Sequence, residues 1–234
     1  MKTSASEAMN HSDIEKAEEL ARLVEAQGGR AYYAGGFVRD SVLGRSSKDI
    51  DIEVHGLSAE QLSPILNSLG SCTYYGGSFG IYSIKGYGLE ISLPMEKAQP
   101  APHIGTEAAA KRRDFTVNSM MRDILSGELI DHFGGEADIR AGIIRHTADD
   151  CFIQDPLRVF RAAQFSATLG FDIAEETLSL CRGADVSALP KERVEAELKK
   201  ALLKAEKPSR FFESLRAMGK LSPWFEELEA LIGI

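Results

Sequence analysis

Residues 35–54 read GGFVRDSVLGRSSKDIDIEV, and this stretch constrains the fold more than any other part of the chain. A glycine pair follows the apolar run Ala31 to Ala34 and opens a segment of helical character. About a dozen residues later, Asp49-Ile50-Asp51-Ile52 alternates acids with branched apolar side chains. Alternation at period two marks a strand with one buried face, so Ile50 and Ile52 point into a core and Asp49 and Asp51 point the other way together. Two carboxylates that close repel unless a cation sits between them. Hard oxygen donors without His or Cys suit Mg²⁺, which uses one or two carboxylates and lets phosphates complete its octahedron. Gly35 and Gly36 let the backbone approach a phosphate closely, and the helix start behind them offers N–H groups and a positive dipole end. The G-x-x-x-x-G-K-[ST] spacing of a P-loop is missing. These residues outline a site for phosphoryl transfer of another kind.

Composition narrows the class. At 234 residues and 44% hydrophobic content the chain can bury a core and hold one or two domains. It has no apolar run of about 18 residues, so no membrane span is expected. The opening MKTSASEAMN lacks the apolar stretch of a secretion signal, which predicts a cytoplasmic protein. Cys72, Cys151 and Cys181 are widely spaced with no C-x-x-C, which argues against both disulfides and zinc. A net charge of −8 weighs against a broadly basic surface; nucleic acid would have to be met by local clusters such as Lys111 to Arg113, or Arg158 with Arg161.

Along the chain, helical spacing covers Asp13–Ala26 and Gly28-Gly29 ends it. A strand at 30–34, a helix at 36–43 and a strand at 49–54 follow. Ser58 is placed to cap a helix through Leu69. Short strands at 72–75, 79–85 and 89–93 then form a meander. Residues 94–106, with Pro94, Pro100, Pro102 and Gly105, read as a mobile loop. From Asp155 onward only helical patterns appear, broken near Gly170, Gly183, Pro208 and Gly219. The expected domains are 1–145, mixed α and β, and 146–234, all helical.

Two later segments carry chemistry. In Lys111-Arg112-Arg113-Asp114-Phe115-Thr116-Val117-Asn118, three cations precede an acid and an amide. This is either a basic helix end capped by Asp114 or Thr116, or a clamp in which guanidinium grips phosphate and carboxylate accepts from a ribose hydroxyl. In Gln154-Asp155-Pro156-Leu157-Arg158-Val159-Phe160-Arg161, Asp155 before Pro156 has the form of a helix cap. Asp155 and Arg158 are also three residues apart and can project to one side of the helix start. An acceptor beside a donor matches the edge of cytosine or adenine, whereas uracil and guanine show the reverse. The wrong base would leave buried polar groups unpaired, at about 1–3 kcal/mol each.

In this order the segments resemble the motifs of class II tRNA nucleotidyltransferases (CCA-adding enzymes) and of their relatives, the bacterial poly(A) polymerases. GGFVRD…LGR…KDIDIEV resembles motif A, RRDFTVNSM motif B, DHFGG motif C, QDPLRVFRAAQF motif D and residues 192–197 motif E. The resemblance runs from about Tyr32 to Leu231 and implies an α+β fold: a nucleotidyltransferase-type head with a mixed, mostly antiparallel sheet flanked by helices, then an all-helical neck. It also implies site roles. Asp49 and Asp51 would hold two Mg²⁺ ions and carry catalysis, and Gly35, Gly36 and Arg39 would face the triphosphate. Arg113, Asp114 and Asn118 would hold ribose and phosphates. Asp155 and Arg158 would read the base, supported by Arg161. The implied substrates are CTP, ATP and a tRNA 3′ end. Glu90 falls where related polymerases have a third carboxylate, although class II enzymes rely mainly on the motif A pair. Residues 94–106 match the family's flexible loop. Two departures stand out: Gln154 replaces the usual Glu of motif D, and the chain stops at Ile234, where relatives continue into body and tail. That ending reads as a cut, the alternative being a naturally small protein. The alternatives are a poly(A) polymerase, an enzyme adding only CC or only A, and a non-catalytic nucleotide- or RNA-binding module.

Overall fold

The computed structural model describes residues 3–47, 49–75, 80–97 and 99–231. Lys48 of the acidic motif, Phe79 at the expected start of a strand, and Ile232 to Ile234 lie outside the described residues. The chain divides into two compact units: residues 1–110 with 118–136, and residues 111–117 with 137–234.

The first unit contains α1 (Thr3–Ala26), β1 (Arg30–Ala34), α2 (Gly35–Val42), β2 (Ile50–His55), α3 (Ala59–Leu69), β3 (Cys72–Tyr75), β4 (Ile81–Ile84), β5 (Leu89–Ser92), β6 (Met95–Glu96), β7 (Gln99–Pro100), all but the last residue of α4 (Thr106–Lys111), the second half of α5 (Thr116–Ser119), β8 (Met121–Asp123), β9 (Leu129–Ile130) and the start of α6 (Gly135–Ala141). Among the described residues, seven strands form one sheet in the order β3-β4-β5-β2-β1-β8-β9. Every pairing is antiparallel except β2 with β5. The alternation read in β2 governs its packing. Ile50, Ile52 and Val54 are fully buried and share a face with Leu89, Ile91 and Ile84, while Leu20, Ala21 and Val24 of α1 are buried with them. Burying a side chain of that size contributes about 1.5–3 kcal/mol, which fixes the register and so sets Asp51 on the opposite face.

Ser58 makes the expected cap and does so reciprocally. Its hydroxyl accepts from the Gln61 N–H, and its own N–H donates to the Gln61 side chain. Residues 94–106 differ from the loop expectation. Met95 pairs with Pro100 and Glu96 with Gln99 in a small hairpin. The Gly56 N–H donates to the Pro102 carbonyl at 2.7 Å, tying the segment to the end of β2. Two-residue strands are too short to leave a period in the sequence, so only their prolines were visible.

The second unit holds the remainder of α6, β10 (Ile143–Ile144), α7 (Asp149–Phe152), α8 (Leu157–Leu169), β11 (Asp172–Ile173), α9 (Glu175–Gly183), α10 (Lys191–Lys204), α11 (Ser209–Ala217) and α12 (Glu226–Leu231). Helix α8 packs between α10 and α11 on Val159, Phe160, Ala162 and Ala163, all fully buried. Gly170, at φ 76°, ends α8 in the left-handed conformation that favours glycine. The helices carry one short addition, a parallel pairing of β10 with β11.

Candidate functional site

In the first unit, Gly35 takes φ 61° as β1 becomes α2, and no side chain caps the new helix. Ala34 at the cap position offers those first N–H groups no side-chain oxygen, and a helix start of this kind suits an anion. Gly36 plays a different part: a Cβ there would meet only the Arg39 Nη2, at 3.6 Å. Arg39 lies one turn on, with Nε donating to Asp40 Oδ1 at 2.9 Å and Nη1 donating to Asn118 Oδ1 at 2.7 Å. Asn118, buried at 7% exposure, thus joins motif B to the glycine helix across 79 positions of sequence.

Asp49 is exposed and just precedes β2; Asp51 is half-buried on it. Glu90 is the register partner of Asp51 across the parallel pair, on the same face, and is exposed. Among the described residues no group of three or more His, Cys, Asp or Glu gathers to hold a metal. Asp49 and Asp51 themselves offer a pair of all-oxygen carboxylate donors. That fits a hard divalent cation completed by phosphates. Asp131 of the DHFGG segment has a local duty, accepting from the Gly135 and Glu136 N–H groups at 2.8 and 2.9 Å as α6 begins.

In the second unit, residues 111–117 run beside 145–147. Phe115 bridges to His146, the Thr116 N–H donates to the Arg145 carbonyl, and the Thr147 hydroxyl donates to the carbonyls of Lys111 and Arg113. The RRD segment is therefore held by its backbone. Lys111, the first cation of the cluster, pairs with Asp150 at 2.9 Å on the surface. Asp114 is 7% exposed; Oδ1 accepts from the Phe115 N–H, and Oδ2 accepts from Arg161 Nε at 2.7 Å. Burial works against the charge of Arg161, but the carboxylates of Asp114, Glu197 and Asp155 outweigh it and hold its pKa above the ordinary value.

Asp155 does cap its helix, since Oδ1 accepts from the Leu157 N–H at 3.1 Å. Oδ2 accepts from Arg193 Nη2 of α10 at 2.8 Å. Arg158 donates through Nη1 to the Cys151 carbonyl and through Nη2 to the Arg112 carbonyl, at 2.8 and 2.7 Å. Burial pushes its pKa down, only partly offset by Asp114 and Asp155. Gln154 is exposed and donates to the Asp150 carbonyl at 2.8 Å. The structure thus groups Asp114, Asp155, Arg158 and Arg161 in the second unit and Arg39 with Asn118 in the first, dividing motif B. Arg193 and Glu197 were not assigned from sequence, although both lie in the stretch resembling motif E. Glu197, at 3% exposure, meets Lys200 at 2.7 Å and Arg161 at 3.8 Å. A charged residue on an amphipathic helix carries no mark of its partner.

Residues 31–145 match the poly(A) polymerase head domain, and residues 170–232 match the probable RNA and SrmB-binding site of polymerase A. The chain is 36% identical over 223 residues to the Multifunctional CCA protein of Stenotrophomonas maltophilia, covering 88% of this chain and 53% of that protein. A structure of a CCA-adding enzyme with CTP superposes with a TM-score of 0.73 at 27% identity, over 86% of this chain and 49% of the other. A tRNA nucleotidyltransferase complexed with a primer tRNA and an incoming ATP analog gives 0.74 at 29% identity, over 88% and 62%. The chain spans about half the length of the curated relatives it matches. No described helix is long and apolar enough to cross a membrane. Motifs, fold and likenesses agree that the chain belongs to the family of tRNA nucleotidyltransferases and bacterial poly(A) polymerases, whose head and neck it carries.

Proposed function

We propose that the chain carries the catalytic part of a cytoplasmic tRNA 3′-terminal nucleotidyltransferase that adds C and A residues from CTP and ATP without a nucleic-acid template. The observation that carries this reading is the placement of the acid-bearing strand β2 against β1, which runs directly into the glycine-started helix α2. An anion cradle next to a carboxylate pair is what a nucleoside triphosphate with its cation requires. Similar structures, one with CTP and one with primer tRNA and an ATP analog, support the substrate assignment.

Asp49 and Asp51 would hold Mg²⁺. When bound, the ion lowers the pKa of the attacking hydroxyl and balances charge at the α-phosphate. Gly35, Gly36 and Arg39 orient the triphosphate, with Arg39 aimed by Asp40 and Asn118. Arg113 and Asp114 hold phosphate and ribose. Asp155 accepts from the amino group of cytosine or adenine, and Arg158 donates to the adjacent ring nitrogen. Their links to Arg193 and to the carbonyls of Arg112 and Cys151 restrict both side chains, so a uracil or guanine edge meets acceptor with acceptor and donor with donor. The 3′-oxygen bonds to the α-phosphorus as the bond to the β-phosphate oxygen breaks, pyrophosphate leaves, and the hydroxyl proton passes to solvent.

A second reading, poly(A) polymerase, uses the same site and is favoured by the head-domain match. Extension of a tRNA transcript ending at its discriminator base separates the two. A three-nucleotide product needing both CTP and ATP supports CCA addition, a ladder with ATP alone supports poly(A) synthesis, and a two-nucleotide stop marks a CC-adding enzyme. No extension with either nucleotide overturns both readings for this chain.

A further inference from the structure

Residues 112–114 lie between α4 and α5, where backbone carbonyls need partners from other segments. Within the second unit, two residues take up the carbonyls of 111–114. The Thr147 hydroxyl donates to those of Lys111, at 3.1 Å, and Arg113, and the Thr147 N–H donates to that of Asp114 at 3.3 Å. Arg158 Nη2 donates to the carbonyl of Arg112, between them, at 2.7 Å. Thr147 is half-buried and its own place is fixed from below. His146, just before it, bridges to Phe115; its Nδ1 hydrogen-bonds with the Thr177 hydroxyl at 2.8 Å and its Nε2 with Asp149 at 2.7 Å. Phe115 and Thr177 are fully buried.

This arrangement bears on Arg158. A guanidinium carries more N–H groups than its bonds to the Cys151 and Arg112 carbonyls use. In the reaction proposed above, an N–H left over is the one that meets the base. The carbonyls of Lys111 and Arg113 flank the one that Arg158 holds, and a carbonyl accepts from a guanidinium as well as a ring nitrogen does. Without the Thr147 hydroxyl, both carbonyls lose a donor beside the nearest cation. The guanidinium can then turn its remaining N–H groups to the backbone and away from the base. Nothing in the side chains of motif D marks this dependence, because it runs through main-chain oxygens.

Resting on the base-reading role proposed above, we propose that Thr147 is a positioning residue for nucleotide selection: by occupying the carbonyls on either side of Arg112, it holds Arg158 to one carbonyl and leaves the remaining donors for the base. The test titrates CTP and UTP, each with Mg²⁺ and without RNA, into wild type, Thr147→Val, Thr147→Ala and Thr147→Ser. Valine keeps the shape of threonine and the N–H bond to Asp114 and lacks the hydroxyl. Thr147→Val raises the Kd for CTP about tenfold, the effect of one lost hydrogen bond, and leaves the Kd for UTP unchanged. Thr147→Ala matches it, and Thr147→Ser, which keeps the hydroxyl, restores the wild-type ratio. A general loosening of the unit would instead raise both values alike. An unchanged ratio in Thr147→Val, an equal rise for both nucleotides, or a Thr147→Ser chain that behaves like Thr147→Val overturns this inference while the transfer reaction stands. So does a chain that folds with neither Val nor Ala, since the hydroxyl would then hold the fold and not the selection. A wild-type chain that binds CTP and UTP alike overturns the base-reading role and takes this inference with it.

Discussion

The acids at the start of β2 and the charged residues at the start of α8 are held in opposite ways. Asp49 is exposed and Asp51 half-buried, near water and within reach of a cation and phosphates. By contrast, Asp155 uses both carboxylate oxygens internally, Arg158 spans two backbone carbonyls, and Arg161 grips a buried Asp114. On the function proposed above, the difference follows from what each group must do. A metal and a triphosphate arrive with their own charge and replace water around accessible carboxylates. Choosing one neutral base over another depends on leaving the wrong one unpaired, and only a fixed donor and acceptor impose that penalty. Under that reading the chemistry is left open and the selection is made rigid.

That contrast breaks most visibly at the acids. Asp49→Ala with Asp51→Ala removes several kcal/mol of charge stabilisation supplied through the bound metal, which corresponds to about a thousandfold in transfer rate. Stability should hold to within about 0.5 kcal/mol, since Asp49 is exposed and Asp51 half-buried. Single-turnover extension and thermal melting measure the two effects separately. Unchanged transfer would remove the acids from the site.

Arg161→Ala should do the reverse. It strips a buried carboxylate of its ion pair, and breaking one side of such a pair costs about 3 kcal/mol. Urea unfolding should show a lower midpoint at an unchanged slope. A wild-type midpoint would mean that Asp114 is held without Arg161, and the rigid half of the comparison would fail.

Asp155→Ala sharpens the contrast within the second unit. Discrimination against UTP and GTP should fall about tenfold, with about 1 kcal/mol of stability lost with the cap on the Leu157 N–H. Arg193→Ala leaves that cap in place and removes a half-exposed ion pair, about 0.5 kcal/mol. It should blur selection while barely moving the melting curve. Competition between CTP and UTP on one primer reads this directly, and a selection ratio equal to wild type in both variants would confine Asp155 to capping.

How far these features could be read in advance follows the range of the interactions. The Ile50 and Ile52 alternation, the Ser58 cap and the break at Gly170 are local, and each appears in the structure where the sequence put it. The division of motif B is not local. Asn118 turns to Arg39, 79 positions away, and Asp114 to Arg161, 47 positions away. Nothing in the string RRDFTVN marks where one partner set ends and the next begins. The pairing of Arg193 with Asp155 is hidden for the same reason: it joins two helix surfaces whose charges look like ordinary solvated ones. The acid-bearing strand declares itself by period, whereas Asp155 and Arg158 are fixed by tertiary contacts.

A last contrast separates two adjacent glycines. Gly35 sits at φ 61°, where a side chain clashes with its own backbone, so Gly35→Ala should cost about 1 kcal/mol of stability before any ligand is present. Gly36 has no such constraint. Its added methyl would make ordinary contact with Arg39 at 3.6 Å and would favour the helix, so Gly36→Ala should fold at least as well as wild type. If α2 cradles the triphosphate, that same methyl stands where a phosphate oxygen approaches the backbone. The loss of one charge-assisted hydrogen bond then raises the KM for CTP and ATP alike by about tenfold. Melting curves and nucleotide titrations of the two variants decide between turn and cradle. A Gly36→Ala protein with wild-type KM for both nucleotides would mean that the glycine pair serves only the turn, and the triphosphate would have to be held by Arg39 and side chains elsewhere.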